Sequence, residues 1–373
     1  MTPDERTTAF SFRRQRLDGS AGSALEAIGA VVGVYSANPT GPLSIHVRAP
    51  AASPESILAL DSSRATMRMR AMRTSAFVVP RAAAALVAAA TAGPLERFAW
   101  MLRAAHVAPE ELPAVRDAVL AAAAQPGTAQ QLRSRVAIDG LDVGSLLSWL
   151  SLRGDIVSIG SGSLTSNASR YQARGAWLAG DPEPAAPEPA AARAWLAGEY
   201  LRAFGPARVA DFAWWSGLNG RQAADAIAAH ETVALDDGLL LRAEDLPEYE
   251  ATAPLGGVVT LLPKWDAWTM GYPLDGRTRF LDRGVHDRVF DGDGNGLGMV
   301  LDDGRAVGAW VHRGAGTTMA VDLDPFERPS PRLTASLESA FGELAAFLGY
   351  RRALVRELDT VVPQRRRIRR PLD

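Results

Sequence analysis

The sequence predicts an α+β protein made of three tandem winged helix-turn-helix modules followed by a small C-terminal β-barrel-like module. Two observations support this fold class. An order of three helices and then a β-hairpin occurs twice, over 110–171 and over 193–242, and this is the order of a winged helix. From residue 255 the chain changes to short β runs separated by Gly and Asp. That change is typical of a small barrel or an antiparallel sheet.

The first module is expected over 10–105, and its copy of the repeated pattern is less clear than the other two. Within it, 64–80 has strand character, and alternate residues of a strand share a face. This segment predicts a hairpin with one basic face, formed by Arg64, Arg68 and Arg70, and Met67 and Met69 on the other face. The alternative is an ordinary surface strand whose arginines are solvated.

The second module is expected over 106–180 and the third over 193–250, with a linker at 181–192 between them. In the second module, helices are predicted at 110–124, 129–135 and 141–152, and two strands follow from 156. The third of these helices would be the recognition helix and the hairpin would be the wing. The linker is rich in Pro, Ala and Glu, a composition that favours a stiff, extended segment.

The β-barrel-like module is expected over 255–350, with β runs that include TRFL (278–281) and a closing helix at 332–349. A tail is expected over 351–373. It ends in RRRIRR (365–370), which is more often a solvated basic tip than a specific site.

The bulk composition excludes several classes of protein. The chain has 373 residues, 47% of them hydrophobic, and no cysteine. Disulfide frameworks, thiolate metal sites and cysteine nucleophiles are therefore excluded. The N-terminal MTPDERTTAFSFRRQR has no apolar core of signal-peptide length, and the Ala-rich runs are too short to span a bilayer. We expect a soluble, cytoplasmic protein that does not associate with membranes.

The charge balance gives only a weak indication of partners. The formal net charge is −2, which counts mildly against a nucleic-acid binder, although a local basic channel can coexist with acidic outer faces. Lys264 is the only lysine, and arginine suits phosphate forks and base edges better than lysine. A GC-rich codon bias explains the arginine content equally well.

Metal and cofactor sites are not expected. The stretch DGDGNGLGMVLD (291–302) imitates the start of a calcium loop, but Asp302 stands where a bidentate Glu is wanted. A Gly-rich hairpin turn is the favoured interpretation. None of the five histidines has a partner at helical metal-ligand spacing. Trp214 and Trp215 are adjacent in a helix, where core packing is a more common role than stacking on bases.

Three stretches, taken in order, resemble the winged helix DNA-binding protein family that includes AlkZ-type and YcaQ-type DNA glycosylases. They are LRAFGPARVADFAWWSGL (201–218), LLPKWDAWTMGY (261–272) followed by RTRF (277–280), and GNGLGMVLDDGRAVGAW (294–310). The resemblance extends from about residue 10 to about residue 350. It implies a C-shaped molecule with a channel for double-stranded DNA, which is the expected partner and could carry damage.

The resemblance also implies a catalytic motif, and here the chain departs from it. Active members remove N7-alkylated purines without a metal or cofactor, and they use Gln-x-Gln or Gln-x-Asp after a Gly-aliphatic pair and shortly before a Pro. In VGVYSANP (32–39) the two catalytic positions fall on Tyr35 and Ala37. A shift of register would put Asn38 in the second position, but it would displace Pro39.

A second family motif, Arg-Gly-Thr-x-His, also departs from the pattern. It reads RTSAF (73–77) here. Arg73 is retained, Ser75 can replace a Thr hydroxyl, and Phe77 replaces the His. The resemblance implies DNA contacts for Arg73 and Ser75, besides those expected from the basic face of the hairpin.

Three functions remain open from the sequence. The first is a DNA-binding protein of this family that recognises alkylated or adduct-bearing DNA, with weak or no glycosylase activity. The second is an active monofunctional glycosylase with an unusual residue set. The third is a transcriptional regulator or an interaction scaffold. A regulator would usually need a symmetric dimer, and because no dimerisation helix is evident we expect a monomer.

Overall fold

The computed structural model describes residues 1–181, 185, 187–235, 238–292 and 294–361. The first part of the chain contains α1 (Pro3–Arg14), α2 (Ala24–Ala30), β1 (Val34–Tyr35), α3 (Thr40–Arg48), α4 (Pro54–Ser62), β2 (Thr66–Arg70), β3 (Ala76–Pro80) and α5 (Arg81–Thr91). The helix starts follow from their caps: Thr2 and Glu5 form a capping box at α1, and Ser23 caps α2.

The next part of the chain repeats the predicted order of helices and then a hairpin. It contains α6 (Ala99–Ala104), α7 (Leu112–Ala122), α8 (Ala129–Val136), α9 (Val143–Arg153), β4 (Ile156–Ile159), β5 (Arg170–Ala173) and α10 (Arg174–Trp177). Thr128 and Gln131 form a capping box at α8, and Gly154 ends α9 in the left-handed conformation that glycine adopts readily. The three helices and two strands predicted here are confirmed to within a few residues.

The same order appears a second time after the linker. This part contains α11 (Pro189–Phe204), α12 (Val209–Ser216), α13 (Gly220–Ile227), β6 (Thr232–Ala234), β7 (Leu240–Arg242) and α14 (Leu246–Glu250). Helix α11 begins inside the segment that was predicted to be linker, because Glu188 caps it and Pro189 occupies its first turn. Residues 182–184 and 186 of that linker lie outside the described residues.

The two N-terminal hairpins join in one five-stranded sheet of order β1-β3-β2-β4-β5. The hairpins meet at a single register pair, Arg68 with Ser158. The hydrophobic cores do not follow the division of the strands into sheets. A separate cluster of buried side chains lies between 105 and 156 and includes Val119, Leu132 and Leu146, whereas a larger core includes residues of the first part, the third part and the C-terminal sheet.

The C-terminal part contains β8 (Val259–Leu262), α15 (Ala267–Met270), α16 (His286–Val289), β9 (Gly298–Asp302), β10 (Arg305–Ala315), β11 (Thr318–Pro325), α17 (Pro331–Phe347) and β12 (Arg352–Glu357). Its strands form a sheet of order β12-β11-β10-β9-β8. Among the described residues β8 and β12 are the two edges and do not pair, so the sheet is open and the prediction of a barrel is corrected. The chain reaches β12 through α17, which places β12 parallel to β11 instead of closing the sheet.

Two further predictions in this region are corrected. The segment TRFL was predicted as a β run, but Leu274–Arg279 forms a 3-10 helix. The reason is that the Arg279 guanidinium donates hydrogen bonds to the carbonyls of Gly276, Phe204 and Pro206. The predicted tail begins too early, since 352–357 is strand. The tip 365–370 lies outside the described residues.

A fully buried ion pair connects the N-terminal helices to the C-terminal part. Both side chains, Arg48 at the end of α3 and Asp266 before α15, have no solvent exposure. Their two hydrogen bonds are each 2.8 Å long, and Asp266 also accepts from the backbone N–H of Trp268 at the start of α15. Because each charge compensates the other, the ion pair fixes the position of the N-terminal helices relative to the C-terminal part.

Candidate functional site

The stretch VGVYSANP (32–39) lies at the edge of the N-terminal sheet. Strand β1 pairs with β3, so that Val34 faces Val78 and Tyr35 faces Phe77. Gly33 is required here, because a Cβ would lie 2.8 Å from Cγ1 of Val79. Val34 is buried, and Tyr35, which points to the other face of the strand, is half-buried.

Tyr35 is surrounded by two aromatic rings and one guanidinium. Its ring centroid is 4.5 Å from that of Phe77 and 6.5 Å from that of Trp265. Nη2 of Arg73 donates to the Tyr35 hydroxyl over 2.9 Å. The structure therefore brings together three positions that the sequence singled out, Tyr35, Arg73 and Phe77.

Ala37 and Asn38 are bonded mainly to other parts of the fold, and Oδ1 of Asn38 is buried without a hydrogen-bond partner among the described residues. Ala37 is half-buried, and its carbonyl accepts from the N–H of Gly41. The Asn38 amide donates to the carbonyls of Ser163 and Ser166, at 2.7 and 2.9 Å. Its backbone N–H and carbonyl are both bonded to Asn167. Asn38 thus holds the loop between β4 and β5.

The arginines predicted to form one basic face are dispersed. Arg68 makes an ion pair with Asp61 and donates to the carbonyl of Ser36, so its guanidinium is used within the fold. Arg64 precedes β2 with a positive φ of 56° and lies over the ring of Trp177. The DNA contacts of these two residues stay a prediction: Arg68 lies on the same face of β2 as Arg70 but is paired with a carboxylate, and Arg64 lies before the strand.

Arg70 and Arg73 do share a groove, which we call the basic groove. It is a cavity of about 740 Å³ whose lining includes Arg70, Arg73, Arg97, Arg153 and Arg174, with Gly217 and Asn219 from the start of α13. Arg70 is held only by a hydrogen bond to the carbonyl of Thr74. Ser75 closes the turn of the hairpin through its backbone, which bonds to Ala71 and Met72.

A second cation that shares Trp214 with Arg73 was missed in the sequence. Trp214 lies under two guanidinium groups: Cζ of Arg73 is 4.0 Å and Cζ of Arg277 is 5.7 Å from its ring centroid. Trp215 is the core residue expected, packed against Tyr200 and Phe204. The available signal was the pair of arginines in GRTRF (276–280).

Arg277 is only 6% exposed. Burial, and after it the positive charge of Arg73, lower the pKa of Arg277 to about 10. Its guanidinium lies 3.8 Å from the ring centroid of Phe290, and Nη1 is 3.4 Å from Nε2 of His286. The site therefore combines aromatic surfaces with two neighbouring cations.

Neither a metal site nor a membrane span is found in the described part of the chain. No group of three His, Cys, Asp or Glu side chains there could hold a metal ion. Of the calcium-like stretch, Asp291 bonds to Asn295, whereas Asp293 lies outside the described residues. No helix among the residues described is both long and apolar enough to cross a bilayer.

Comparisons with known proteins agree on one family. The model of the AlkZ-like DNA glycosylases matches residues 31–347. The solved structure of Streptomyces sahachiroi DNA glycosylase AlkZ has a similar fold, with a TM-score of 0.74 and 23% identity over 95% of this chain and 99% of that chain. No curated protein matches significantly. Because the family model covers most of the chain, this protein belongs to the AlkZ-like DNA glycosylase family.

Proposed function

We propose that the protein binds alkylated or adduct-bearing duplex DNA and retains the modified nucleotide without efficient cleavage of its glycosidic bond. The observation that carries this proposal is the neighbourhood of Tyr35. The phenol is flanked by Phe77 and Trp265 and accepts a hydrogen bond from Arg73. In this proposal Tyr35 and Ala37 occupy the catalytic positions of the family.

Removal of a base needs a water held near the anomeric carbon by groups that can accept its protons. Ala37 has no such group and Phe77 has none. Nδ2 of Asn38 donates to the loop at 163–166, and its Oδ1 has no hydrogen-bond partner among the described residues but is buried away from solvent. The hydroxyl of Tyr35 accepts a hydrogen bond from Arg73. The Tyr35 ring can stack on a base, and such stacking contributes roughly 1–3 kcal/mol per base in single-strand binders. A nucleotide turned out of the duplex would then be bound rather than cut.

The basic groove supplies the second part of the proposal. Its arginines would contact phosphates, with the helices and hairpins of 10–105, 106–180 and 193–250 acting as three winged-helix modules around the DNA. Arg70 and Arg73 contribute from the first hairpin and Arg153 from the end of α9. Such contacts give sequence-independent, salt-dependent affinity. A monomer suffices for this binding.

The test is a duplex that carries one N7-methylguanine, assayed for free base and for retained complex. We expect tight binding and negligible base release by the wild type, and a gain of release by the double variant Tyr35→Gln with Ala37→Gln. The control is Tyr35→Phe, which keeps the ring and should keep most of the binding. The outcome against the proposal is robust release by the wild type that Tyr35→Phe abolishes.

That opposite outcome defines the second candidate, an active glycosylase for N7-alkylated purines. The observation in its favour is the hydrogen bond from Arg73 to the Tyr35 hydroxyl. This contact would stabilise a phenolate if the reaction formed one. A regulator or scaffold would instead bind undamaged and damaged duplexes equally.

A further inference from the structure

Arg73 and Arg277 form a pair of cations on one aromatic surface. Both guanidinium groups lie over Trp214, at 4.0 and 5.7 Å from its ring centroid. They are close enough that the charge of Arg73 acts on the titration of Arg277. Two like charges in a partly dehydrated site repel each other, so their proximity needs a compensating group.

No carboxylate of the described residues forms an ion pair with Arg73 or Arg277, and the two buried arginines nearest in character are satisfied differently. Arg48 is neutralised by Asp266. Arg279, two residues from Arg277 and similarly buried, donates to three backbone carbonyls. The Nε atoms of Arg73 and Arg277 are buried and have no acceptor among the described residues, as is also the case for Nε of Arg48; unlike Arg48, neither Arg73 nor Arg277 has a carboxylate partner among those residues.

Unpaired, partly dehydrated guanidinium groups that converge are suited to an oxyanion. Arginine presents a planar fork of donors that matches phosphate, and hydrogen bonds between opposite charges are about twice as strong as neutral ones. Aromatic contacts hold the two side chains in place, Trp214 under Arg73 and Phe290 at 3.8 Å under Arg277. Less of the binding free energy is then lost in ordering them.

We propose that Arg73 and Arg277 form a phosphate-binding site that positions a nucleotide against Tyr35. This inference rests on the proposed function, because it takes the phosphate from bound DNA. Arg73 links the two features, since Nη2 donates to the Tyr35 hydroxyl and the same guanidinium lies on Trp214. Because Arg73 contacts both features, a phosphate bound by this pair would lie close to the Tyr35 hydroxyl. The nucleotide beside Tyr35 would then be the one whose own phosphodiester is bound.

The test uses the wild type, Arg277→Met and the control Arg283→Met, on a duplex with one N7-methylguanine. Arg283 is a matched control because its side chain is 78% exposed. A second duplex replaces the phosphodiester next to the lesion by a neutral methylphosphonate. The wild type should lose on the order of tenfold in affinity for the neutral duplex, as expected for loss of a charged hydrogen bond. Arg277→Met should bind the normal duplex on the order of tenfold more weakly than the wild type does, and it should bind the neutral duplex no more weakly than the normal one.

If the neutral duplex weakens binding by Arg277→Met as much as it weakens binding by the wild type, the phosphate and Arg277 act independently. That result would overturn the inference. An unchanged affinity of Arg277→Met would also overturn it. Arg277→Gln provides a second variant if the methionine variant does not fold, and near-ultraviolet circular dichroism checks both.

The inference and the proposed function can fail separately. If the wild type binds no duplex, the proposed function fails. Thermal unfolding with inorganic phosphate then tests the phosphate-binding site by itself. A rise in the thermal midpoint of the wild type with phosphate, absent in Arg277→Met and present in Arg283→Met, supports a site for free phosphate or a nucleotide. The same response in all three proteins overturns the site.

Discussion

Replacement of Arg277 by methionine should stabilise the protein when no anion is bound. Burial and the charge of Arg73 lower the pKa of Arg277 to about 10, so the folded state disfavours the cation by about 3 kcal/mol at neutral pH. Methionine removes this cost, but it also removes the contact of the guanidinium with Phe290 at 3.8 Å, which is worth about 2 kcal/mol when dehydrated. The net expectation is a gain of about 1 kcal/mol in the free energy of unfolding.

Urea unfolding in a phosphate-free buffer at low salt measures this difference. Arg277 has a lowered pKa, so the cost of its charge is fully present below the folded value of about 10. The cost is lost only as the pH rises from there toward the higher pKa of the unfolded chain. The difference between Arg277→Met and the wild type should therefore be constant from about pH 6 to about pH 9. Addition of phosphate should reduce or reverse it.

Arg279→Met is the matched control, because Arg279 lies in the same 3-10 helix and is 8% exposed. Its guanidinium serves three backbone carbonyls, so the same substitution leaves buried acceptors without a donor. We expect a loss of roughly 3 kcal/mol or more. Equal losses in both variants would refute the reasoning, because Arg277 would then be an ordinary structural residue.

Three other perturbations have defined outcomes. In urea unfolding, Asp266→Asn should lower the free energy of unfolding by about 3–5 kcal/mol, because it leaves a buried arginine uncompensated. The control Asp275→Asn, which removes an exposed ion pair, should change the same quantity by less than about 0.5 kcal/mol. Arg70→Ala should lower the salt slope of DNA binding by about one unit; Arg68→Ala should instead reduce stability and leave that slope unchanged, and the reverse pattern would contradict the assignments. Burial lowers the pKa of His46, so stability should fall as the pH drops below about 6.5, where the unfolded chain takes up the proton first; His46→Phe should flatten that slope.

Much of the secondary structure could be predicted because local signals decide it. The helices of the second and third parts begin at caps such as Thr128 and Asn219, and these are visible in the sequence. The C-terminal sheet was harder. Strand β12 is largely exposed, so its residues show no alternation of polar and apolar positions, and only its pairing with β11 makes it a strand.

The candidate site was predicted in part. The resemblance located Tyr35, Arg73 and Phe77, and pairing of β1 with β3 brings them together. Arg277 and Trp214 could not be placed beside them from the sequence, because their proximity depends on how three distant segments pack. The ion pair of Arg68 could not be predicted for a similar reason: its partner Asp61 is a helix residue, and a strand pattern says nothing about it.

The buried ion pair between Arg48 and Asp266 also constrains the order of events during synthesis. The two residues are 218 positions apart, and at about 5–20 residues per second a ribosome needs roughly 10–40 s to extend the chain from one to the other. Throughout that interval the site that encloses Arg48 has no counter-charge, and enclosing an unpaired cation is costly. We therefore expect the N-terminal helices to remain open at this point until Asp266 leaves the exit tunnel, so that this part of the fold closes only late in synthesis.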